Sequence, residues 1–155
     1  MRRMIRDRCI EPMRRLLRQG VSARELALSV ALGLVIGNIP VLGVSTVLCV
    51  AIAVRYRLNL AAIQVAQAAM APTQWLLWLP FLRLGEWLTR SPRLPLTVSA
   101  GRALLAAGPG HVTAALGVAT LQATLAWLVV APFAVFALYR LLTPVLARAI
   151  AGKVA

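Results

Sequence analysis

Polar side chains that could bind a ligand are scattered through two otherwise apolar segments of this 155-residue chain. Amides and hydroxyls in lipid must find partners inside the protein or line a wet cavity, so their presence indicates a site. The set comprises Asn38, Ser45, Thr46, Asn59, Gln64, Gln67 and Gln74, with Pro40 and Gly43 shaping the chain between them and Arg55 and Arg83 at the ends of the segments. We expect the arginines and helix N-termini to receive an anionic lipid headgroup while its chain stays in the bilayer. The same residue types also suit a tight turn with close helix contacts, and that structural alternative stays open.

Catalysis requires a nucleophile with its base, a pair of carboxylates or a cluster of metal ligands, and the sequence offers none of these arrangements. Two of the four acidic residues lie in a basic N-terminal arm. Glu25 stands three positions after Ser22, which is the spacing of a capping box, and Glu86 is one helical turn from Arg83, with which we expect it to pair. We therefore expect a protein that is not an enzyme.

Metal and cofactor sites are not expected either. His111 is the only histidine, and Cys9 and Cys49 lie far apart without the spacing of metal ligands. We expect both thiols to stay unpaired and no cofactor to bind.

The first apolar segment, residues 26–54, contains no charged residue and is interrupted in its middle by glycine, asparagine and proline. Its halves, residues 26–38 and 44–54, would be helices of about 20 and 16 Å, against a hydrocarbon core of ~30 Å. A helical hairpin that enters and leaves on one side of a membrane therefore competes with a simple span. Gly33 and Gly37 would permit close helix contact, and the capping box predicts a helix that begins at Ala23.

The second apolar segment, residues 58–82, is divided in the same way by Pro72, and its legs of about 21 and 15 Å are again too short to span. Residues 112–131 precede Pro132 and give about 30 Å of helix, a full span, with Trp127 and Tyr139 as candidate interface anchors. The predicted fold is an all-α integral membrane protein: two broken helical hairpins, re-entrant or spanning, followed by one full transmembrane helix.

Composition and charge support a membrane location. The chain is 61% hydrophobic and only 14% charged, with a mean hydropathy of +0.82, which lies outside the range of soluble domains. Its 17 basic residues against four acidic ones flank the apolar segments, so anionic lipids rather than nucleic acid are the expected partners. Two hairpins and one span would place 14 of the 17 basic residues on the N-terminal side, and three spans would place 12 there. Both counts predict a cytoplasmic N-terminus in a bacterial inner membrane.

Four regions follow from these patterns. They are a basic interfacial arm over residues 1–21, a hairpin region over 22–90, a surface connection over 91–111, and a transmembrane helix with a basic tail over 112–155.

Residues 33–46 read GLVIGNIPVLGVST, and they are followed by Arg57-Leu58-Asn59, by Pro72 and by Arg83-Leu84-Gly85-Glu86. Across residues 20–90 this pattern resembles the bacterial membrane family known as domain of unknown function 2062. The matching positions are Gly37, Pro40, Gly43, Thr46, Leu58, Asn59 and Pro72, whereas Ser45 replaces a usual glutamine and Ala71 replaces a frequent asparagine.

The resemblance implies a multi-pass protein of the bacterial cytoplasmic membrane without an established activity. Some relatives are joined to glycosyltransferases that use lipid-linked sugars, which implies polyprenyl-phosphate or glycolipid chemistry. We expect a protein that binds or transports such an anionic lipid, and a chain this short is expected to act as a homo-oligomer, most simply a dimer. The alternative is an assembly subunit that packs against a partner such as a membrane glycosyltransferase, through stretches of small residues such as 61–71 and 114–119.

Overall fold

The computed structural model describes residues 22–41 and 43–151, and within those ranges all regular structure is helical. The basic arm over residues 1–21, including Cys9, lies outside the described residues. The helices are α1 (Ala23–Ile36), α2 (Val44–Tyr56), α3 (Leu60–Ala69), α4 (Ala71–Thr89), α5 (Val98–Ala106) and α6 (Pro109–Ala151). The predicted all-α class is confirmed for this part of the chain.

The start of α1 is the predicted capping box. The Glu25 backbone N–H donates to Ser22 Oγ at 3.2 Å, and the Ser22 N–H donates to Glu25 Oε2 at 3.1 Å. These bonds satisfy two of the N–H groups that every helix start leaves without an intrahelical partner. The structural role expected for both residues is confirmed.

The predicted interruption of the first segment is also present, and residues 37–43 are called the break below. Helix α1 ends at Gly37, and α2 begins after Gly43, whose φ of 82° lies in the left-handed region that glycine adopts at no steric cost. Ile36 packs against Cys49 and Ala53 on α2, so the two helices form a helix–turn–helix pair.

Helix α3 lies against α1 through the two predicted glycines. A Cβ added to Gly33 would meet the Ile63 carbonyl oxygen and stand 2.7 Å from Ala66 Cβ; one added to Gly37 would stand 2.9 Å from Met70 Cβ. The helices can approach this closely only because glycine has no side chain. Since successive residues of α1 meet successive residues of α3, the two helices run in the same direction.

The second segment is a kinked helix instead of the expected hairpin. Only Met70 separates α3 from α4, its backbone is helical (φ −87°, ψ −6°), and the Gln74 N–H donates to its carbonyl at 2.9 Å. A single residue in a helical conformation bends a chain but does not reverse it. Pro72 lacks an N–H and accounts for the interruption.

Helix α6 is the longest element and extends beyond the predicted span. It includes residues 112–131 but continues through Pro132 and Pro144 to Ala151. Among the described residues, α6 alone is both long and apolar enough to cross a membrane. Its length of 43 residues corresponds to about 64 Å.

Contacts with α6 order the other helices along its length. Leu26, near the start of α1, packs in one cluster with Leu146, and Ile39, just after α1, packs in another with Trp127. Helix α1 therefore runs antiparallel to α6. Gly85, near the end of α4, lies against the backbone of Gln122. The end of the bundle near Leu146 is called the base below, and the end near Gln122 is called the far end.

Candidate functional site

Two side chains donate to carbonyls of the last turn of α1, immediately before the break. Asn38 Nδ2 donates to the Leu34 carbonyl at 2.9 Å, and Trp127 Nε1 donates to the Val35 carbonyl at 3.1 Å. The last carbonyls of any helix lack intrahelical donors, and buried ones need partners of another kind. Trp127, expected as an interface anchor, is 7% exposed and lies in the core because its N–H has this buried acceptor.

Two of the three glutamines of the second segment, Gln67 and Gln74, also donate to groups at or next to the break. Gln74 Nε2 donates to the Ile39 carbonyl at 2.6 Å, and Gln67 Nε2 donates to Ser45 Oγ at 3.0 Å, with Thr46 Oγ1 at 3.3 Å. The kinked helix thus brings its amides to the break. The amide nitrogens of both glutamines donate to groups inside the protein, which is the kind of contact that the structural alternative expects.

The predicted site residues therefore separate into three groups. Asn38, Pro40, Gly43, Ser45, Thr46, Gln67 and Gln74 gather at the break. Asn59 lies toward the base, where its Oδ1 accepts from the Ala62 N–H at 2.9 Å and its N–H donates to Ser29 Oγ at 3.1 Å. Gln64 is half-buried on α3, and Arg55 is exposed, with its guanidinium 5.6 Å from the ring centroid of Tyr56.

Arg83 lies at the far end and not with Arg55. It is two residues from Gly85, which contacts Gln122, whereas Arg55 follows the part of α2 that packs on the base half of the bundle. Residues 122 and 146 of α6 are 24 positions apart, or about 36 Å of helix. The expectation that both arginines flank one site is wrong because the chain is not reversed at Met70.

An apolar cavity of about 460 Å³ adjoins the break. Asn38 is the one polar residue of its lining, and the amide oxygen Oδ1 of that residue is buried without a hydrogen-bond partner among the described residues. The walls come from α1, α4 and α6 with Met70 between α3 and α4: Leu34, Val35, Asn38, Met70, Leu77, Phe81, Trp127, Val130, Ala131, Ala134 and Leu138. Cavities of this size accommodate small ligands or part of a longer apolar chain.

A second cavity, of about 570 Å³, is polar and lies at the far end where α4 stops. It is lined by Arg83, Glu86, Trp87, Leu88, Arg90, Ser91 and Arg93, and is called the arginine pocket below. The predicted ion pair is present: Arg83 Nη1 lies 2.8 Å from Glu86 Oε2, and Glu86 is only 2% exposed. Sequence reasoning missed Arg90 and Arg93, although two further arginines within ten residues of Arg83, around a Ser-Pro turn, were a usable signal.

The profile of one bacterial family, described as uncharacterized protein conserved in bacteria (DUF2062), matches residues 5–153. That range extends the resemblance seen in residues 20–90 over nearly the whole chain. No curated protein and no solved structure matches. Residues of the quoted motif have structural roles: Gly33 and Gly37 allow α1 to pack closely on α3, and Pro72 accounts for the kink between α3 and α4. The chain belongs to the bacterial family of uncharacterized proteins DUF2062.

Proposed function

We propose that this chain is a small bacterial membrane protein that binds an anionic lipid-linked molecule, whose apolar chain occupies the cavity beside the break. The observation that carries this proposal is the cavity itself, about 460 Å³ with apolar walls, at the junction of three helices. An apolar cavity of that size gains little from water, since one polar residue supplies too few hydrogen-bond partners. A hydrocarbon or isoprenoid chain matches its walls.

The polar ends of the bundle support a membrane arrangement. Ser22, Glu25, Arg55 and Asn59 belong to the base half, whereas Arg83 and Glu86 lie at the far end, about 36 Å away along α6. That separation fits a hydrocarbon core of ~30 Å with its interfaces. We propose that α3–α4 and α6 span the membrane, and that α1 and α2 form a re-entrant hairpin entering from the base.

Charge supports the base as the cytoplasmic side. Four of the 17 basic residues, Arg83, Arg90, Arg93 and Arg102, belong to the far end and its connection to α6. The others precede the break, lie around Arg55 or follow Trp127 in the sequence. An excess of arginine and lysine on one side is typical of the cytoplasmic face. The N-terminus is cytoplasmic in this arrangement, as the sequence predicts.

Besides the apolar cavity, the partial positive charge at the start of α2 would attract an anionic amphiphile. The first turn of α2 has no side-chain cap, because Gly43 precedes it. Uncapped N–H groups at a helix start carry a partial positive charge of roughly +0.5. Asn38, which lines the cavity, belongs to the same break that ends at this helix start.

Filling the cavity tests the proposal. Ala134 lines it, whereas Ala137, one turn further along α6, is exposed. We expect Ala134→Phe to reduce photo-crosslinking of a diazirine-bearing polyprenyl phosphate several-fold in proteoliposomes, and Ala137→Phe to leave it unchanged. Equal crosslinking of both variants and the native chain would contradict chain binding in the cavity. Purification with a defined membrane protein and without enriched lipid would instead favour the assembly subunit.

A further inference from the structure

The arginine pocket holds more positive charge than its own carboxylate can neutralise. Three guanidinium groups, those of Arg83, Arg90 and Arg93, line it together with one carboxylate, Glu86. Like charges gathered in one cavity repel one another, so a fold that keeps them there commonly does so for an anion. The question is which of these groups is free to bind one.

Hydrogen bonds within the protein occupy both carboxylate oxygens of Glu86 and hold the side chain of Arg83 in place. Glu86 Oε1 accepts from the Leu94 N–H at 2.7 Å, and Oε2 accepts from Arg83 Nη1 at 2.8 Å. The same Arg83 nitrogen donates to the Leu94 carbonyl at 3.3 Å. The pair therefore holds both backbone groups of Leu94 and fastens the segment after α4 onto the helix. This leaves Arg90 and Arg93, which form no ion pair with a described residue.

The backbone conformation at Arg90, which lines the pocket, is also fixed. It is the residue that ends α4, with φ 51° in the left-handed region, and the Ser91 N–H donates to the Glu86 carbonyl at 3.0 Å. Glycine is the usual residue at this position, and side chains adopt such a conformation only rarely. An arginine there has its backbone fixed by the helix end, so less freedom is lost when the side chain binds a ligand.

We propose that the arginine pocket binds a phosphate group through Arg90 and Arg93. Arg83, which is held by Glu86 and the Leu94 carbonyl, forms another part of the lining. The planar guanidinium donates two parallel hydrogen bonds and matches phosphate oxygens in that geometry. Three arginines and one glutamate leave an excess of two positive charges, which balances the two negative charges of a doubly ionised phosphate monoester. Trp87 and Leu88 on the wall are 74% and 40% exposed, an apolar rim that favours the headgroup of a lipid over a free phosphate.

This inference deepens the proposed function, on which its lipid assignment rests, by naming the headgroup and its side of the membrane. Phe81 lines the apolar cavity and Arg83 lines the pocket, two residues apart on α4. The phosphate site would thus be at the far end, opposite the arginine-rich base. Binding of phosphate at the pocket stands on the arginines alone, even if no chain enters the cavity.

Calorimetric titration of the purified full-length chain in neutral detergent tests the site with two probes, dioctanoyl phosphatidic acid and inorganic phosphate. We expect the double variant Arg90→Gln/Arg93→Gln to bind at least tenfold more weakly than the native chain, measured with whichever of the two probes the native chain binds more tightly. The control Arg102→Gln/Arg148→Gln removes the same charge from exposed positions outside the pocket and should stay within twofold. Arg93→Gln alone, outside every helix, should show a partial loss without disturbing the end of α4.

The two probes separate the sources of the phosphate. Tight binding of phosphatidic acid that inorganic phosphate fails to displace supports a lipid headgroup, and equal binding of both supports a free phosphate in the same pocket. Failure of both probes with the native chain, or equal binding by native chain and double variant, overturns the site. Ala134→Phe should leave the titration with inorganic phosphate unchanged and weaken only the binding of phosphatidic acid, so failure of chain binding and failure of the phosphate site remain distinguishable.

Discussion

Gln74 is the residue whose role changes most between sequence and structure. As an amide in an apolar segment it predicts a ligand contact, yet its side chain donates to the Ile39 carbonyl at 2.6 Å. That carbonyl follows the end of α1 and precedes Pro40, where no helical donor is in place. A ligand-binding role would leave the amide free, whereas this bond makes Gln74 part of the structure that permits a break.

We therefore expect Gln74→Met to destabilise the protein by about 1–3 kcal/mol, because it keeps the volume but leaves a buried carbonyl without its donor. The matched control is Gln64→Met on α3, whose half-buried amide forms no hydrogen bond with a described residue. A surface-type substitution of that kind usually changes stability by less than ~0.5 kcal/mol. Thermal unfolding in detergent measures both variants, and equal midpoints would show that the Gln74 bond contributes nothing.

The sequence predicted contacts between residues that are close in the chain, but it did not predict contacts between distant residues. The Ser22–Glu25 capping box and the Arg83–Glu86 pair involve residues three positions apart, so spacing alone identifies them. The Trp127 bond to Val35 joins residues far apart in sequence, and its existence depends on which helices meet. The arginine pocket was not predicted for the same reason. Its residues come together because the bond from the Leu94 N–H to Glu86 Oε1 holds the segment after α4 against that helix.

At the scale of elements, α4 and α6 approach each other closely at Gly85. A Cβ on Gly85 would meet the backbone oxygen of Gln122 and stand 3.0 Å from its Cβ. Gln122 Nε2 also donates to Thr89 Oγ1 at 3.4 Å, which ties the end of α4 to the same point. Glycine here serves packing, because Gly85 is helical and buried.

Gly85→Ala should lower stability by about 1–3 kcal/mol, since the added methyl must push two backbones apart. The control is Gly117→Ala on α6, where a Cβ meets nothing within 4 Å and alanine should stabilise the helix by roughly 0.5–1 kcal/mol. The two substitutions are chemically identical and have opposite expected signs. Chemical unfolding followed by circular dichroism measures them; a stabilised Gly85→Ala would contradict the close contact.

The helices themselves were largely predictable, and their relative directions were not. Glycine and proline located the break and the kink, and apolar length located α6. Pro132 and Pro144 lie inside α6 without ending it, so a proline in the sequence does not by itself locate a helix end. The predicted second hairpin failed for this reason: Pro72 interrupts the chain, but Met70 stays helical and carries it onward.

At the scale of the whole molecule, that difference changes which residues share a side of the membrane. Two hairpins would return the chain to the base before residue 90, whereas the kinked helix carries it to the far end. In the membrane arrangement proposed above, Arg55 and the exposed helix α5 would lie on opposite sides of the bilayer. In the two-hairpin arrangement they share one side.

Cysteine labelling distinguishes the two arrangements. In a Cys9→Ser/Cys49→Ala background, we expect Arg55→Cys to react with a membrane-impermeant maleimide only from the cytoplasmic side, and Ser99→Cys on α5 only from the opposite side. Both positions are exposed, so access to them depends on the side of the membrane and not on burial. Ser22→Cys serves as the control for the base and should follow Arg55→Cys. Labelling of Ser99→Cys from the same side as Arg55→Cys would contradict the spanning role of α3–α4. It would instead support the second hairpin and place the arginine pocket on the cytoplasmic face.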